Sequence, residues 1–253
     1  MDKISAVIIA KNEEQMIIGA LESLAFADEI LLINNNSTDQ TKEIAEKHKA
    51  KIVDINTNDF SEMRNTGLKH AAFDWILYLD ADERVDEDLR NNIKKVTKEK
   101  SEFSAFKLPR KNYYLGKNEW PTVEKLERLF KKEYLKEWKG QIHESPIVEG
   151  KIGELEGFIL HFTHRDLESM LDKTILWSQT EAMLRFNSNH PKMTWWRFPR
   201  VMITAFFNSF VVQKGFKAGA TGLIESIYQA FSAFITYARL WELQQSEKLR
   251  TNK

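Results

Sequence analysis

The chain has 253 residues, 42% hydrophobic and 29% charged, a globular balance that excludes wholesale disorder. Lys+Arg and Asp+Glu are both 37, but from Lys192 onward nine Lys/Arg stand against three Glu, so a tail of about +6 offsets a body of about −6. A nucleic-acid binder usually carries its basic excess on the main domain, which argues against nucleic acid as a partner. Cysteine is absent, removing disulfides, thiolate metal sites and a cysteine nucleophile and fitting a reducing, cytoplasmic setting.

Met1-Asp2-Lys3-Ile4-Ser5 leads directly into a strand-like stretch, without the basic start and apolar core of a signal peptide. Ala6 to Ala10 is a continuous apolar run, as expected of a strand buried on both faces. Asn12 and Glu13-Glu14 open a helical pattern carried by Met16, Ile17, Leu21 and Leu24. Glu29 to Ile33 reads as a second strand, after which Ser37-Thr38-Asp39 is expected to cap a helix running to about His48. Lys51 to Ile55 is a third strand, Phe60 to Ala72 a helix, and Trp75 to Leu79 a fourth strand ending in Asp80-Ala81-Asp82-Glu83. This alternation predicts an α/β fold with parallel βαβ units and a Rossmann-like sheet. Ligands of such sheets bind at the carboxyl ends of the strands, which puts the loops after Ala10, Ile33 and Leu79 on one edge.

From Glu102 to Phe162 the pattern turns extended and aromatic, with Phe103–Leu108, Leu126–Phe130 and Ile159–Phe162 as mixed or antiparallel strands finishing the sheet. From Arg165 the chain reads as helical, over Asp166 to about Asn187, Trp195 to Gln213 and Leu223 to Gln245, with Gly215, Gly219 and Gly222 punctuating the last two.

Asp80 and Asp82, two residues apart just past a strand end, can hold a hard divalent cation such as Mg²⁺ or Mn²⁺, which takes one or two protein carboxylates plus substrate phosphates. The plainer reading is a solvated acidic turn capping the next helix. Asn34-Asn35-Asn36-Ser37-Thr38-Asp39-Gln40-Thr41 offers short polar groups and backbone amides to a nucleoside, or else forms an Asx-rich turn with a helix cap. Asn12 and Glu13 follow the first strand in the same way, as ligand contacts or as an ordinary acidic helix start. Arg64 could bond a base or diphosphate, or make a surface salt bridge.

Taken together and in order, Ile8-Ile9-Ala10-x-Asn12-Glu13, the Asn-x-x-Ser-Thr-Asp-x-Thr turn from Asn34, Arg64-Asn65-x-Gly67 and Leu79-Asp80-Ala81-Asp82-Glu83 resemble family 2 glycosyltransferases of the GT-A fold. The second half extends the likeness through Glu127-Arg128-Leu129-Phe130, Trp138-x-Gly140-x-Ile142-His143-Glu144, Leu160-His161, Lys214-Gly215-Phe216 and Tyr237-Ala238-Arg239-Leu240-Trp241-Glu242. These look like a bacterial subgroup of lipopolysaccharide core β-1,4-glucosyltransferases. The resemblance implies a mixed GT-A sheet flanked by helices in residues 1–164, divided into a nucleotide-binding half (1–100) and an acceptor-side half (101–164). It also implies a helical, basic, amphipathic region over 165–253. In one departure, the Asp that opens the nucleobase turn in the family is Asn34 here; its side-chain carbonyl can still accept from a uracil N–H.

The activity so implied is an inverting, metal-dependent transfer of a hexose, glucose from UDP-glucose, to a saccharide or lipid-linked saccharide of lipopolysaccharide core or another cell-envelope glycan. Asp82 would bind Mn²⁺ or Mg²⁺, and Asp80 the ribose or the metal through water. Ala10, Asn12, Glu13, Asn34, Ser37, Asp39, Arg64, Asp80, Ala81 and His143 would line the nucleotide-sugar site. Glu144 is the candidate general base, set against an ordinary surface glutamate, and His143 is a diphosphate contact or a structural histidine. His161 and His164 are alternative metal or phosphate contacts. A sugar nucleotidyltransferase would begin with a Gly-rich loop, whereas Ala10-Lys11-Asn12-Glu13-Glu14 has no glycine before Gly19. A catalytically silent, membrane-associated scaffold is the other alternative, and the intact Asp80, Asp82 and Glu144 argue against it.

No stretch reaches the roughly 18 apolar residues that span a bilayer; the longest candidate, Val201–Val212, contains Asn208. Met202, Phe206, Phe207, Phe210 and Val211 do form an apolar stripe, preceded by Trp195-Trp196 and surrounded by Arg197, Arg200, Lys214 and Lys217. Such a helix suits the inner face of an anionic membrane, or packing against the catalytic domain or a second subunit in a homodimer.

Overall fold

The computed structural model describes residues 3–251, with side-chain burial through Ser246. Met1, Asp2, Asn252 and Lys253, included in the reading of the two ends, lie outside the described residues. The elements run β1 (Ile4–Ala10), α1 (Ile17–Ser23), β2 (Glu29–Asn35), α2 (Thr41–Lys47), β3 (Lys51–Ile55), α3 (Phe60–His70) and β4 (Trp75–Asp80). Next come β5 (Glu83–Val85), α4 (Glu87–Val96), β6 (Phe103–Tyr114), β7 (Asn118–Lys131), β8 (Leu135–Lys139), β9 (Ser145–Val148), β10 (Lys151–Glu154) and β11 (Ile159–Phe162). Three long helices follow, α5 (Leu167–Asn187), α6 (Arg197–Phe207) and α7 (Gly219–Thr251).

Alternation along the central strands explains the layering. Ile4, Ala6, Ile8 and Ala10 of β1 enter one core cluster with Trp75, Leu77 and Leu79 of β4; Val7 and Ile9 enter a second with Ile76 and Tyr78. A strand buried on both faces needs cover on both sides of its sheet, and parallel βαβ crossovers supply it. The result is an α/β fold with a mixed sheet in the order β3-β2-β1-β4-β7-β6-β11-β5, with β10 beside β6. Strands β3, β2, β1 and β4 pair in parallel, whereas β7 joins β4 antiparallel. The chain winds outward from β1 to β3, then returns to the other side of β1 as β4. This reversal makes a switch point between β1 and β4, where ligands of such sheets sit. Register aligns the strand ends there: Ala10 pairs with Asn34, Asn34 with Asp54, and Ile9 with Asp80.

Several boundaries differ from expectation. Helix α2 starts at Thr41 with Gln40 in the N-cap position and making no side-chain cap; of Ser37-Thr38-Asp39, Asp39 still serves the helix start, its Oδ1 accepting from the Thr41 N–H at 3.0 Å. All three side chains also bond across to the β1–α1 loop. The Trp195–Gln213 helix becomes α6, which gives way at Phe207 to a π-helical turn over Asn208–Val212. Strand β5 intervenes between the acidic turn and the helix that follows it, α4. Asp86 caps α4, accepting from the Leu89 N–H at 2.8 Å, so neither Asp80 nor Asp82 serves as that helix's cap.

Packing divides the chain into two compact units, Met1–Lys111 with Val123–His161, and Asn112–Thr122 with Phe162–Lys253. The tip of the β6–β7 hairpin thus belongs with the helices. In the helical unit, Gly215 permits the approach of Trp120, whose Cη2 would lie 2.8 Å from a Cβ at that position. Asp166 and Ser169 form a capping box that starts α5, and α7 packs along both α5 and α6. Among the described residues no helix is long and apolar enough to cross a membrane.

Candidate active site

The loops after β1 and β2 are tied into one surface. Asn12, in the left-handed region at φ 55°, accepts on Oδ1 from the Thr38 N–H at 2.8 Å and donates its own N–H to Ser37 Oγ at 3.1 Å. The Glu13 N–H donates to Thr41 Oγ1 at 2.7 Å, and the Glu14 N–H to Asp39 Oδ2 at 3.0 Å. Burial pushes the Asp39 carboxyl up, but hydrogen bonds from the Thr41 hydroxyl and from the Glu14 and Thr41 N–H groups outweigh it and leave it lowered. Asn34 is buried and fixed at both ends of its amide: Nδ2 donates to Asp54 Oδ1 at 2.7 Å, and Oδ1 accepts from the Ser37 N–H at 3.3 Å. An acceptor-only carboxylate on one side and an N–H donor on the other define the amide's orientation. Asp54 in turn is held below the usual carboxylate range, first by the Asn34 amide and then by Lys42. Ala10 is buried at the end of β1, beside Asn34.

Each fixed residue of the Arg64-Asn65-x-Gly67 motif has a physical role on α3. Asp59 starts the helix by accepting from the Ser61 and Glu62 N–H groups. Gly67 is required by close packing, since a Cβ there would lie 2.4 Å from Val7 Cγ1. Asn65 grips the backbone of Trp138 in β8 both ways, donating to its carbonyl at 3.0 Å and accepting from its N–H at 2.8 Å. The Phe60 N–H donates to the Gln141 carbonyl at 3.1 Å, so α3 also holds the loop that follows β8. That loop carries exposed His143 in the left-handed region (φ 61°) and Glu144.

Arg64 itself, 2% exposed, joins the two halves of the site. Its Nε donates to Glu144 Oε1 at 2.5 Å and its Nη2 to Asp80 Oδ1 at 3.1 Å. The guanidinium lies 4.9 Å from the Trp138 ring centroid and 5.8 Å from that of Tyr78, whose hydroxyl donates to the Arg64 carbonyl. Burial alone would lower the Arg64 pKa, but the Asp80 and Glu144 carboxylates reverse the shift and keep the cation charged. Its Nη1 is buried with no hydrogen-bond partner among the described residues.

Asp80 is clamped at both oxygens, with Arg128 Nη2 at 2.9 Å on Oδ2. Burial raises its pKa, yet Arg128, Arg64 and Arg110 overcome that and hold the carboxyl well below the ordinary range. Fully buried Glu83 completes this layer, accepting from the Asp80 N–H at 2.9 Å and from Arg110 Nη1 at 2.8 Å. Arg84 pins the loop by donating to the carbonyls of Ala81, Glu83 and Met16. Asp82 has different company: its Oδ2 lies 3.4 Å from His161 Nε2, on the strand where His161 pairs with Glu83. Asp82 and His161 side chains are 14% and 15% exposed, within reach of solvent or a ligand.

The sequence-selected residues Asp80, Ala81, Asp82, Arg64, Glu144 and His161 therefore meet around the end of β4. Asn12, Glu13, Asn34, Ser37 and Asp39 form the adjoining loop surface. His164 falls in the helical unit, where its Nδ1 meets Glu225 Oε2 at 2.9 Å. Sequence reasoning gave no role to Arg128, Arg110, Glu83 or Asp54. Arg128 stood in a quoted motif, which was the available signal. Glu83 directly followed the acidic pair.

No group of three or more His, Asp or Glu among the described residues is arranged to hold a metal ion unaided. The Asp82 carboxylate and His161 imidazole nevertheless fit a divalent cation that completes its shell with phosphate oxygens and water. A cavity lined by Leu21, Asp28, Glu29, Lys51 and Phe73 lies at the opposite, amino-terminal ends of β2 and β3, away from these groups.

In comparison with known families, residues 5–146 match the model described as "Glycosyl transferase family 2". An uncharacterized glycosyltransferase of Rickettsia typhi is 27% identical, over 96% of this chain and 88% of its own length. The lipopolysaccharide core biosynthesis glycosyltransferase LpsC of Rhizobium meliloti is 25% identical, over 98% of this chain and 95% of its own. Among solved structures, S. aureus TarS 1-349 in complex with UDP-GlcNAc aligns with a TM-score of 0.47 at 15% identity, covering 97% of this chain and 92% of that one.

Proposed function

The chain belongs to glycosyl transferase family 2, and from that membership we propose that it is an inverting hexosyltransferase working at the end of β4. Its donor is a nucleoside diphosphate sugar, UDP-glucose in the most specific form of the reading. Its acceptor is a saccharide of lipopolysaccharide core or another cell-envelope glycan, met at the cytoplasmic side. Residues 1–100 bind the donor and 101–164 face the acceptor.

The observation that carries this reading is the bridge from Arg64 to both Asp80 and Glu144, which gathers the acidic turn and the candidate base in one place. The Asn34 carbonyl accepts from the nucleobase N–H, its orientation fixed by Asp54. The loop made by Ala10, Asn12, Glu13, Ser37 and Asp39 holds the nucleoside. Asp80, immobilised by two arginines, would bind the ribose or reach the cation through water, and Ala81 would line the sugar site. Arg64 Nη1 gains a partner in a donor oxygen, relieving the cost of a buried unsatisfied N–H. His143 contacts the diphosphate.

Asp82, with His161 beside it, would hold Mn²⁺ or Mg²⁺ together with the donor's phosphates. A cation there supplies Lewis-acid stabilisation of charge on the departing nucleoside diphosphate. Glu144 takes the proton from the acceptor hydroxyl as that oxygen attacks the anomeric carbon from the face opposite the leaving group, inverting the configuration. Its pairing with Arg64 keeps Glu144 in place until the acceptor arrives.

Turnover of one nucleotide sugar that is lost in Asp82→Ala supports the reading, and turnover unchanged in that variant overturns it. The catalytically silent scaffold predicts no turnover in either protein. For the C-terminal helices, the absence of Asp and Glu between Glu181 and Glu225 favours an anionic membrane over a second subunit.

A further inference from the structure

We propose that α6 and the turn after it form a docking face that lies in the headgroup region of an anionic bilayer without crossing it. The face is defined by side chains that folding leaves outside. Ile203, Phe207 and Val211 follow one row of α6 and its π-helical continuation, at exposures of 68%, 55% and 42%, and Trp196 in the N-cap position is 48% exposed. Trp195 is 83% exposed, and Val212 and Phe216 extend the apolar surface around the turn at 60% and 51%. Lys214, in the left-handed region, and Gly219 at φ 59° reverse the chain into α7, which packs back along α6. Polar side chains should cover a helix surface meant for water, and contiguous apolar exposure on this scale marks an interaction surface.

Charge selects the occupant. No Asp or Glu occurs between Glu181 and Glu225, while Lys192, Arg197, Arg200, Lys214 and Lys217 fall within that interval. A symmetric contact between two copies would bring these cations against one another, whereas an anionic lipid surface attracts every one of them. Indole rings at one end of an amphipathic basic helix suit the boundary between headgroups and acyl chains. Because no helix among the described residues can span a bilayer, the contact is in-plane. This proposal does not rest on the transfer reaction, and it would place the protein where a lipid-linked acceptor is presented.

The test is co-sedimentation of the full chain with phosphatidylcholine vesicles, with and without about a third phosphatidylglycerol. Binding is expected on the anionic vesicles, at least about tenfold weaker on phosphatidylcholine alone, and weakened by salt. Phe207→Glu with Val211→Glu should reduce partition at least about tenfold, since two exposed apolar anchors are lost. Donor hydrolysis in solution should be unchanged, separating a failure here from a failure of the enzymatic reading. Lys214→Glu with Lys217→Glu reads the charge contribution separately, should the apolar variant fail to fold. Absence of binding to anionic vesicles at low salt would overturn the proposal. So would equal binding to both vesicle types, or a mass of twice 29.6 kDa in light scattering that these substitutions abolish.

Discussion

Arg64 Nε and Glu144 Oε1 meet at 2.5 Å although the two residues lie 80 positions apart in the chain. Asn65, the next residue on the same helix, fixes the backbone of β8 that leads into the Glu144 loop. One turn of α3 thus sets the position of a loop and supplies the cation that holds its carboxylate. The other arm of the same guanidinium holds Asp80. Breaking the bridge at Arg64 takes the buried cation from Glu144 and leaves Asp80 with Arg128 on one oxygen only. Arg64→Met is expected to cost about 3–5 kcal/mol in urea unfolding, a penalty dominated by uncompensated charge. Arg64→Lys should recover only part of this, because a single ammonium cannot reach both carboxylates with the geometry of a planar fork.

The two aspartates of the acidic turn should separate cleanly. Asp80 balances two buried arginines, so Asp80→Asn is expected to lower stability by about 3 kcal/mol or more. Asp82, partly exposed, faces His161 and lies in the field of Arg84 rather than between two buried arginines, and Asp82→Asn should cost less stability than Asp80→Asn while losing at least about a hundredfold in turnover. Denaturation curves and kcat measured on both variants check the pair of outcomes. A large stability loss at Asp82 with modest loss of turnover would reverse the assignment.

Metal and nucleotide should bind together. With only Asp82 and His161 supplied by the protein, Mn²⁺ alone is expected to bind weakly and to tighten at least about tenfold in the presence of UDP. Calorimetry with and without the nucleotide measures this, and His161→Ala should reduce the coupling. Equal Mn²⁺ affinity in both titrations would show that the cation does not share the donor's phosphates.

Acid should weaken the fold through Asp80. Its folded pKa lies below the unfolded value of roughly 3.9, so the stability it contributes is complete above that value and is lost as pH falls toward the folded pKa. Asp39 and Asp54 shift in the same direction and add to the trend. Urea unfolding should therefore show a plateau at higher pH and a decline below about pH 4, made shallower in Asp80→Asn. An identical decline in the variant would remove Asp80 as its source.

The sequence carried residue types and their order more readily than their partners. Continuous burial of β1 was legible because Ala6 to Ala10 has no polar interruption, and the acidic turn was legible because it follows such a run. Arg128 and Asp80 are separated by 48 positions, and no local pattern announces that a cation on β7 will neutralise a carboxylate on β4. Ser37-Thr38-Asp39 misled for a related reason. Its side chains have the chemistry of helix caps, but Ser37 and Thr38 go to tertiary partners in the Asn12–Glu14 loop, and only Asp39 also reaches the first N–H of α2. Strand β5 spans only Glu83–Val85, too short to show periodicity, yet it brings Asp82 to His161.

Gly67 offers a test of packing without chemistry. A methyl group there would collide with Val7 in the central strand, so Gly67→Ala is expected to destabilise by about 1–3 kcal/mol. Thermal or urea unfolding measures it, and an unchanged midpoint would mean that α3 can withdraw from the sheet at little cost.

The decisive measurement is release of nucleoside diphosphate from a panel of nucleotide sugars by the purified chain with Mn²⁺ or Mg²⁺, with Asp82→Ala alongside. Turnover of one donor, with UDP-glucose expected, abolished by chelator and in the variant, is the predicted result. Equal turnover with and without Asp82, or no UDP binding and no turnover of any donor even with saccharide acceptors present, would contradict a hexosyltransferase built on this site.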